Sequence, residues 1–174
     1  MKQLLLLPLI AILSMSATYA PQEPSKAETI AWLNKYGSQM YKNCRMILSS
    51  STLDASMLID TTSDLLETYY AYVNGDDDEI IQTCKIKISE INKLMISNSE
   101  NSNKAIYNVY LFGPKDFMTE TFSLTGRKSF FSLMTLKFNT EDDAQRVFNA
   151  IKHLISFYDN EVEFINETDL ENKF

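Results

Sequence analysis

The stretch YYAYVNGDDDEIIQTCKIKI, residues 69–88, decides the fold class. Two arms rich in aromatic and β-branched residues flank Asn74-Gly75, a dipeptide that accepts the positive φ of a tight hairpin turn. In the second arm Cys84, Ile86 and Ile88 alternate with Thr83, Lys85 and Lys87. That period of two predicts a half-buried antiparallel strand with Cys84 on the core side. Assigning Tyr69, Ala71 and Val73 to the core face of the first arm leaves Tyr70 and Tyr72 facing outward. Strand aromatics are usually core or cross-strand partners, but exposed ones stack on sugar rings or dock peptides. Tyr70 and Tyr72 are therefore the candidate binding residues. The run Asp76 to Glu79 fails the calcium-loop spacing, because Glu79 stands where a glycine is needed and Lys85 where a bidentate glutamate is needed. It reads as a solvated hairpin tip, and no metal site is expected.

Outward from the hairpin, Tyr41 to Leu48, Leu65 to Val73 and Ala105 to Phe112 also read as strands, the last ended by Gly113-Pro114. Glu120 to Leu124 is expected to pair with Phe130 to Phe138 across the turn Thr125-Gly126-Arg127-Lys128. Ser89 to Met95 reads as a helical turn or an irregular bridge, and Ser97 to Lys104 as an exposed loop. Ser25 and Glu28 form a capping-box pattern that predicts a helix of about ten residues ending at Gly37. At the other end Thr140 caps and Glu141, Asp142 and Asp143 suit the positive end of a helix dipole. Ala144, Val147, Phe148, Ile151, Leu154, Ile155 and Tyr158 then repeat at helical spacing. The expectation is an α+β fold: one antiparallel, strongly bent sheet of about six or seven strands, with an N-terminal helix and a C-terminal amphipathic helix packed on it. Residues 25–160 form a single domain in this reading, and 161–174 a flexible acidic tail.

The first twenty residues, MKQLLLLPLIAILSMSATYA, read as a secretory signal peptide, with cleavage after Ser16 or after Ala20. The apolar run Leu4 to Leu13 is too short to span a bilayer, so export is expected without stable membrane insertion. An exported chain with two cysteines predicts one intramolecular disulfide, Cys44–Cys84, the alternative being two separate buried thiols. The formal charge is −7, and loss of Lys2 with the leader makes it about −8. Such an acidic chain lacks the basic footprint that nucleic acid or anionic lipid requires.

No glycine-rich phosphate loop and no G-x-S-x-G elbow occurs, and the chain has one histidine, His153. His153 reads as a packed or half-exposed helix residue, and the paired Glu161 and Glu163 lie in the tail, where water keeps a carboxylate pKa ordinary. No cofactor is expected. The segments Ala27-Glu28-Thr29-Ile30-Ala31-Trp32-Leu33-Asn34 and Ala144 to Ile155 resemble the two ends of small secreted bacterial proteins with pleckstrin-homology-like domains. That resemblance implies a fold and no activity. The functional expectation is a noncatalytic, exported binding module, periplasmic or secreted, whose partner is a protein or peptide of the cell envelope. The alternative is a small secreted hydrolase using carboxylates or His153.

Overall fold

A computed structural model of the chain describes residues 23–48, 51–73, 78–101 and 104–166. The expected leader, the expected hairpin turn at 74–77 and the last eight residues of the expected acidic tail lie outside the described residues. The fold is α+β, but its strands are divided between two open sheets.

The chain enters through α1 (Lys26–Trp32), whose capping box forms as the sequence predicts: the Glu28 amide donates to Ser25 Oγ at 3.3 Å and the Ser25 amide to Glu28 Oε2 at 2.8 Å. Gly37 does not end the helix. A π-helical turn, Leu33–Gly37, carries the chain directly into α2 (Ser38–Leu48). The expected strand over Tyr41 to Leu48 is therefore helix, and its buried residues Tyr41 and Cys44 are three apart, a helical interval. Gly37 is a point of close approach: a Cβ there would lie 2.9 Å from Met57 Cε and 3.6 Å from Val147 Cγ2.

The first sheet has the order β1-β2-β3-β6-β7. It is built from β1 (Thr52–Asp60), β2 (Leu65–Val73), β3 (Glu79–Lys87), β6 (Met118–Phe122) and β7 (Lys128–Phe131). β1 is a strand the sequence reading did not single out; the hairpin of β2 with β3 is the one expected. The second sheet has the order β8-β5-β4-β9. Its strands are β4 (Lys93–Asn101), β5 (Lys104–Phe112), β8 (Leu133–Phe138) and β9 (Glu163–Asn166). A 3-10 turn, Ile88–Glu90, links the sheets where a turn or bridge was expected.

Three further differences have local causes. The loop predicted over Ser97 to Lys104 is largely strand, because Ser97 is buried opposite Asn108, whose amide donates to Ser99 Oγ at 2.9 Å. The single strand predicted over Phe130 to Phe138 breaks at Ser132, whose carbonyl accepts from the Gly113 amide at 3.0 Å as the chain passes between sheets. Part of the expected loose tail is ordered: β9 runs parallel to β4, with Glu163 opposite Lys93 and their ion pair at 3.4 Å. The count is nine strands among the described residues, against about six or seven expected.

The terminal helix α3 (Glu141–Ile155) forms as read, with Thr140 Oγ1 accepting from the Asp143 amide at 3.1 Å. It buries Ala144, Val147, Phe148, Ile151, Leu154 and Ile155 against β4, β5 and β8. Each of the larger side chains, Val147, Phe148, Ile151, Leu154 and Ile155, contributes about 1.5–3 kcal/mol, so this face is a large part of what holds α3 on the second sheet.

The outer edge of β1 is closed by side chains. The amides of Ala55, Met57 and Ile59 point away from β2 and meet, in turn, Asp54 Oδ1 at 2.9 Å, Ser38 Oγ at 3.0 Å and Asn34 Oδ1 at 2.6 Å. Asn34 Nδ2 also donates to the Ile59 carbonyl at 3.0 Å. Lys42 reaches Asp54 at 2.7 Å, and its hydrogen bond holds that carboxyl below the usual carboxylate range. Asn34, Ser38 and Lys42 are successive turns of one helical stretch laid along the strand edge. Removing Asn34 orphans two half-buried backbone groups, so Asn34→Ala should cost about 2 kcal/mol in urea unfolding. Asn43→Ala, which removes a side chain bonded among the described residues to Gln39 on the exposed side, should cost less than about 0.5 kcal/mol. Equal losses would contradict the edge role.

Candidate functional site

The register of the first sheet places three rows on its inner face. Ile59, Leu66 and Ile86 form an apolar row; next come Met57, Thr68, Cys84 and Glu120; then Ala55, Tyr70, Gln82 and Phe122. Polarity therefore rises along the face away from the apolar core. Over the polar rows lies α2, which contributes Tyr41 and Arg45, one turn apart. Met118 and the β8 residues Leu133, Met134 and Thr135 close the far wall, leaving a cleft of about 190 Å³.

Arg45 is held in place rather than free to swing. Its Nε donates to the Tyr41 hydroxyl at 3.1 Å, and its guanidinium lies 4.8 Å from the Tyr70 ring and 5.3 Å from the Tyr41 ring. Thr52 Oγ1 donates to the Arg45 carbonyl at 3.1 Å and so accepts from the Tyr70 hydroxyl at 3.2 Å. Tyr72 stacks on Tyr70 with ring centroids 5.0 Å apart. Among the described residues no carboxylate pairs with Arg45. Opposite it, Glu120 Oε1 accepts from Gln82 Nε2 and from the Cys84 thiol, the latter at 3.9 Å.

Burial is the first cause of each titration shift here. It raises the Tyr41 hydroxyl, against the opposing pull of the Arg45 charge. It pushes the Cys84 thiol up to about 11, with the Glu120 carboxylate adding to the rise. Cys44, on the buried face of α2, is likewise pushed up to about 11 by burial. Both sulfurs are thus protonated at neutral pH and lack the thiolate character of a nucleophile or metal ligand. The cleft offers a fixed cation, a carboxylate and hydrogen-bonding groups in a half-buried setting, which is the chemistry of recognition.

The sequence-derived candidates fall differently from expectation. Tyr70 and Tyr72 do not face outward: the register pairs Thr68 with Cys84, so both tyrosines share the inner face with Cys84, and both are half-buried. Tyr70 lines the cleft and Tyr72 supports it from the side. Cys44 and Cys84 form no disulfide. Both thiols feel the Arg45 charge, but Cys44 also lies near Lys137 and Asp143, whereas Cys84 faces Thr68 and Glu120. His153 is half-buried on α3, its Nε2 2.7 Å from the Pro24 carbonyl and its ring edge-on to Phe157. Glu163 pairs with Lys93, and neither it nor Glu161 comes together with His153 in a cleft. Arg45, Glu120 and Gln82 were missed from sequence. The signal that would have found Arg45 is its spacing of four from Tyr41, visible only once that segment is read as helix.

Among the described residues no three His, Cys, Asp or Glu side chains gather to hold a metal ion, and no helix is long and apolar enough to cross a membrane. The chain matches no protein-family model, no curated protein and no solved structure.

Two separate protonated thiols predict that both cysteines alkylate in denaturant without reductant, at two labels per chain; no labels would restore the disulfide. Because folding raises both thiols from about 9 to about 11, the stability they contribute is complete below pH about 9 and is lost as pH climbs through about 11. Urea midpoints should fall across that window, and fall less steeply in the Cys44→Ala/Cys84→Ala variant.

Proposed function

We propose that the protein is a noncatalytic binding module acting outside the cytoplasm, whose ligand is a peptide or protein segment that seats one polar residue between α2 and the inner face of the first sheet. The observation that carries this reading is Arg45: a guanidinium fixed by one hydroxyl and two tyrosine rings, facing a polar cleft, with no paired carboxylate among the described residues. Holding a cation ready without neutralising it makes sense when the neutralising group arrives with a ligand. At about 190 Å³ the cleft is smaller than the roughly 300–1,000 Å³ that accommodates a drug-sized molecule, so it suits a single residue of a larger partner or a very small molecule.

The export half of the reading rests on the leader at residues 1–20 and the cell-envelope partner follows from it. For the pleckstrin-homology-like arrangement suggested by the chain ends, the support is a C-terminal helix laid on antiparallel strands; the split into two sheets and the parallel β9 weigh against one bent sheet. A hydrolase built on His153 has less support, since its Nε2 meets the Pro24 carbonyl and the carboxylate lining the same pocket, Glu28, is tied to Ser25 in the capping box.

A soluble pool of random peptides with free termini, passed over the immobilised chain, tests the binding reading. The wild-type protein should enrich a set of peptides that Arg45→Met retains at least about tenfold less well, with the variant still folded and unfolding cooperatively at a lower midpoint, since the Tyr41 hydroxyl loses its partner. No enrichment, or enrichment indifferent to both Arg45→Met and Glu120→Gln, would contradict it.

A further inference from the structure

We infer that the group recognised in the cleft is an α-carboxylate together with the nitrogen on its own α-carbon, the carboxylate against Arg45 and the nitrogen donor against Glu120. This deepens the binding reading above and rests on it. Arg45 uses Nε on the Tyr41 hydroxyl, which leaves the two Nη groups as a fork of donors; a carboxylate accepts such a fork with two parallel bonds. The rings of Tyr41 and Tyr70 fix the plane of that fork, so its orientation is set before a ligand arrives.

The opposite wall carries the complementary demand. Glu120 receives Gln82 Nε2 and the Cys84 thiol on one oxygen, Oε1, while Oε2 has no hydrogen-bond partner among the described residues. Gln82 and Cys84 thereby hold the carboxylate in place with an acceptor to spare. Arg45 and Glu120 line the same cleft without pairing with each other. A ligand matching both must put a negative group and an N–H donor a short distance apart, and the small volume confines them to one compact unit. An amino-acid terminus has that composition: carboxylate and nitrogen separated by a single carbon.

Two sources carry it, a free amino acid, with an ammonium group, and the C-terminal residue of a peptide, with an amide N–H. A cation prefers Glu120 more strongly than a neutral amide does, so the sources differ in how much they depend on that carboxylate.

The experiment is titration of the full-length chain with the common amino acids in three forms: free, N-acetylated, and as C-terminal amides, read by isothermal calorimetry and by shifts in unfolding midpoint. At least one acid form should bind, its amide should bind at least about tenfold more weakly, and Arg45→Met should abolish the difference. Binding of the free form alone, lost in Glu120→Gln, identifies the free amino acid; equal binding of the N-acetyl form identifies a peptide C-terminus, and both outcomes support the inference. Amides that bind as well as acids, acid binding unaffected by Arg45→Met, or no binding in any form would overturn it. Each variant's urea midpoint is measured alongside, and the corresponding Arg45→Lys protein keeps the charge without the fork, so weakened binding in that folded variant separates recognition from collapse. If the peptide pool is captured through Arg45 while no acid form binds, this inference falls and the binding reading stands; if a free acid binds while no peptide is captured, the cleft is an amino-acid site and the peptide part of the reading falls; if neither occurs, both fall.

Discussion

Three outward-facing amides of β1, those of Ala55, Met57 and Ile59, each end on a side-chain oxygen, and the position of nearly everything else follows from that. An open strand edge is a row of unmet hydrogen-bonding groups and a template for unwanted pairing. Here the helical stretch from Ser25 to Leu48 covers it, with Asn34 and Ser38 bonding directly and Lys42 clamping Asp54. Those contacts set both the height and the rotation of the helix. Rotation matters most, because once Asn34 and Ser38 are committed to the edge, Tyr41 and Arg45 must lie over the inner face of the sheet. The π turn at Leu33–Gly37 sits where the helix meets β1 and α3, and the missing Cβ of Gly37 permits that approach.

The same geometry separates two environments within one sheet face. Leu33, Met57, Ile59, Leu66 and Ile86 join the buried core beneath the first helical turns. Further along, the inward residues become Thr68, Cys84, Gln82 and Glu120, and a core packed only with apolar groups would leave them without partners. Tyr41 and Arg45 from the helix and Tyr70 from β2 supply those partners in part, while the remaining hydrogen-bonding capacity opens on a cleft. The stability of the polar half is thus borrowed from the apolar half: α3 locks the second sheet against the helix, and the cleft stays half-buried because the elements around it cannot move apart.

Much of this was legible in the sequence where a local signal and a packing demand agreed. Thr140, three acidic residues and seven apolar residues at helical spacing left α3 no other reading, and Asn74-Gly75 between alternating arms did the same for β2 and β3. Signals failed where they had two meanings. Gly37 looks like a helix stop, yet it is a contact point; Tyr41 and Ile47 look like strand formers, yet Tyr41 and Cys44 bury one helical face. The tyrosines were assigned the wrong face because Ala71 is buried on the outer side between its cross-strand neighbours Asp54 and Ile81, which a period of two cannot reveal. An even cysteine count and an expected export give an opportunity for a disulfide, while its formation is a matter of placement, and Cys44 and Cys84 form none. Arg45 and Glu120 are far apart in the chain and meet only through the edge contacts of β1, so no local pattern announces them.

Native-state hydrogen exchange of the Met57 and Ile59 amides tests the edge closure most directly. These belong to an outermost strand and face away from its neighbour, so in an ordinary open edge they would exchange as fast as the free side of β7. The account requires protection close to that of the Leu66 amide on the adjacent strand, with Asn34→Ala exposing Ile59 while leaving Met57 held by Ser38. Rapid exchange of both amides in the unaltered chain would contradict the claim that the helix seals β1 and thereby places Arg45 over the cleft.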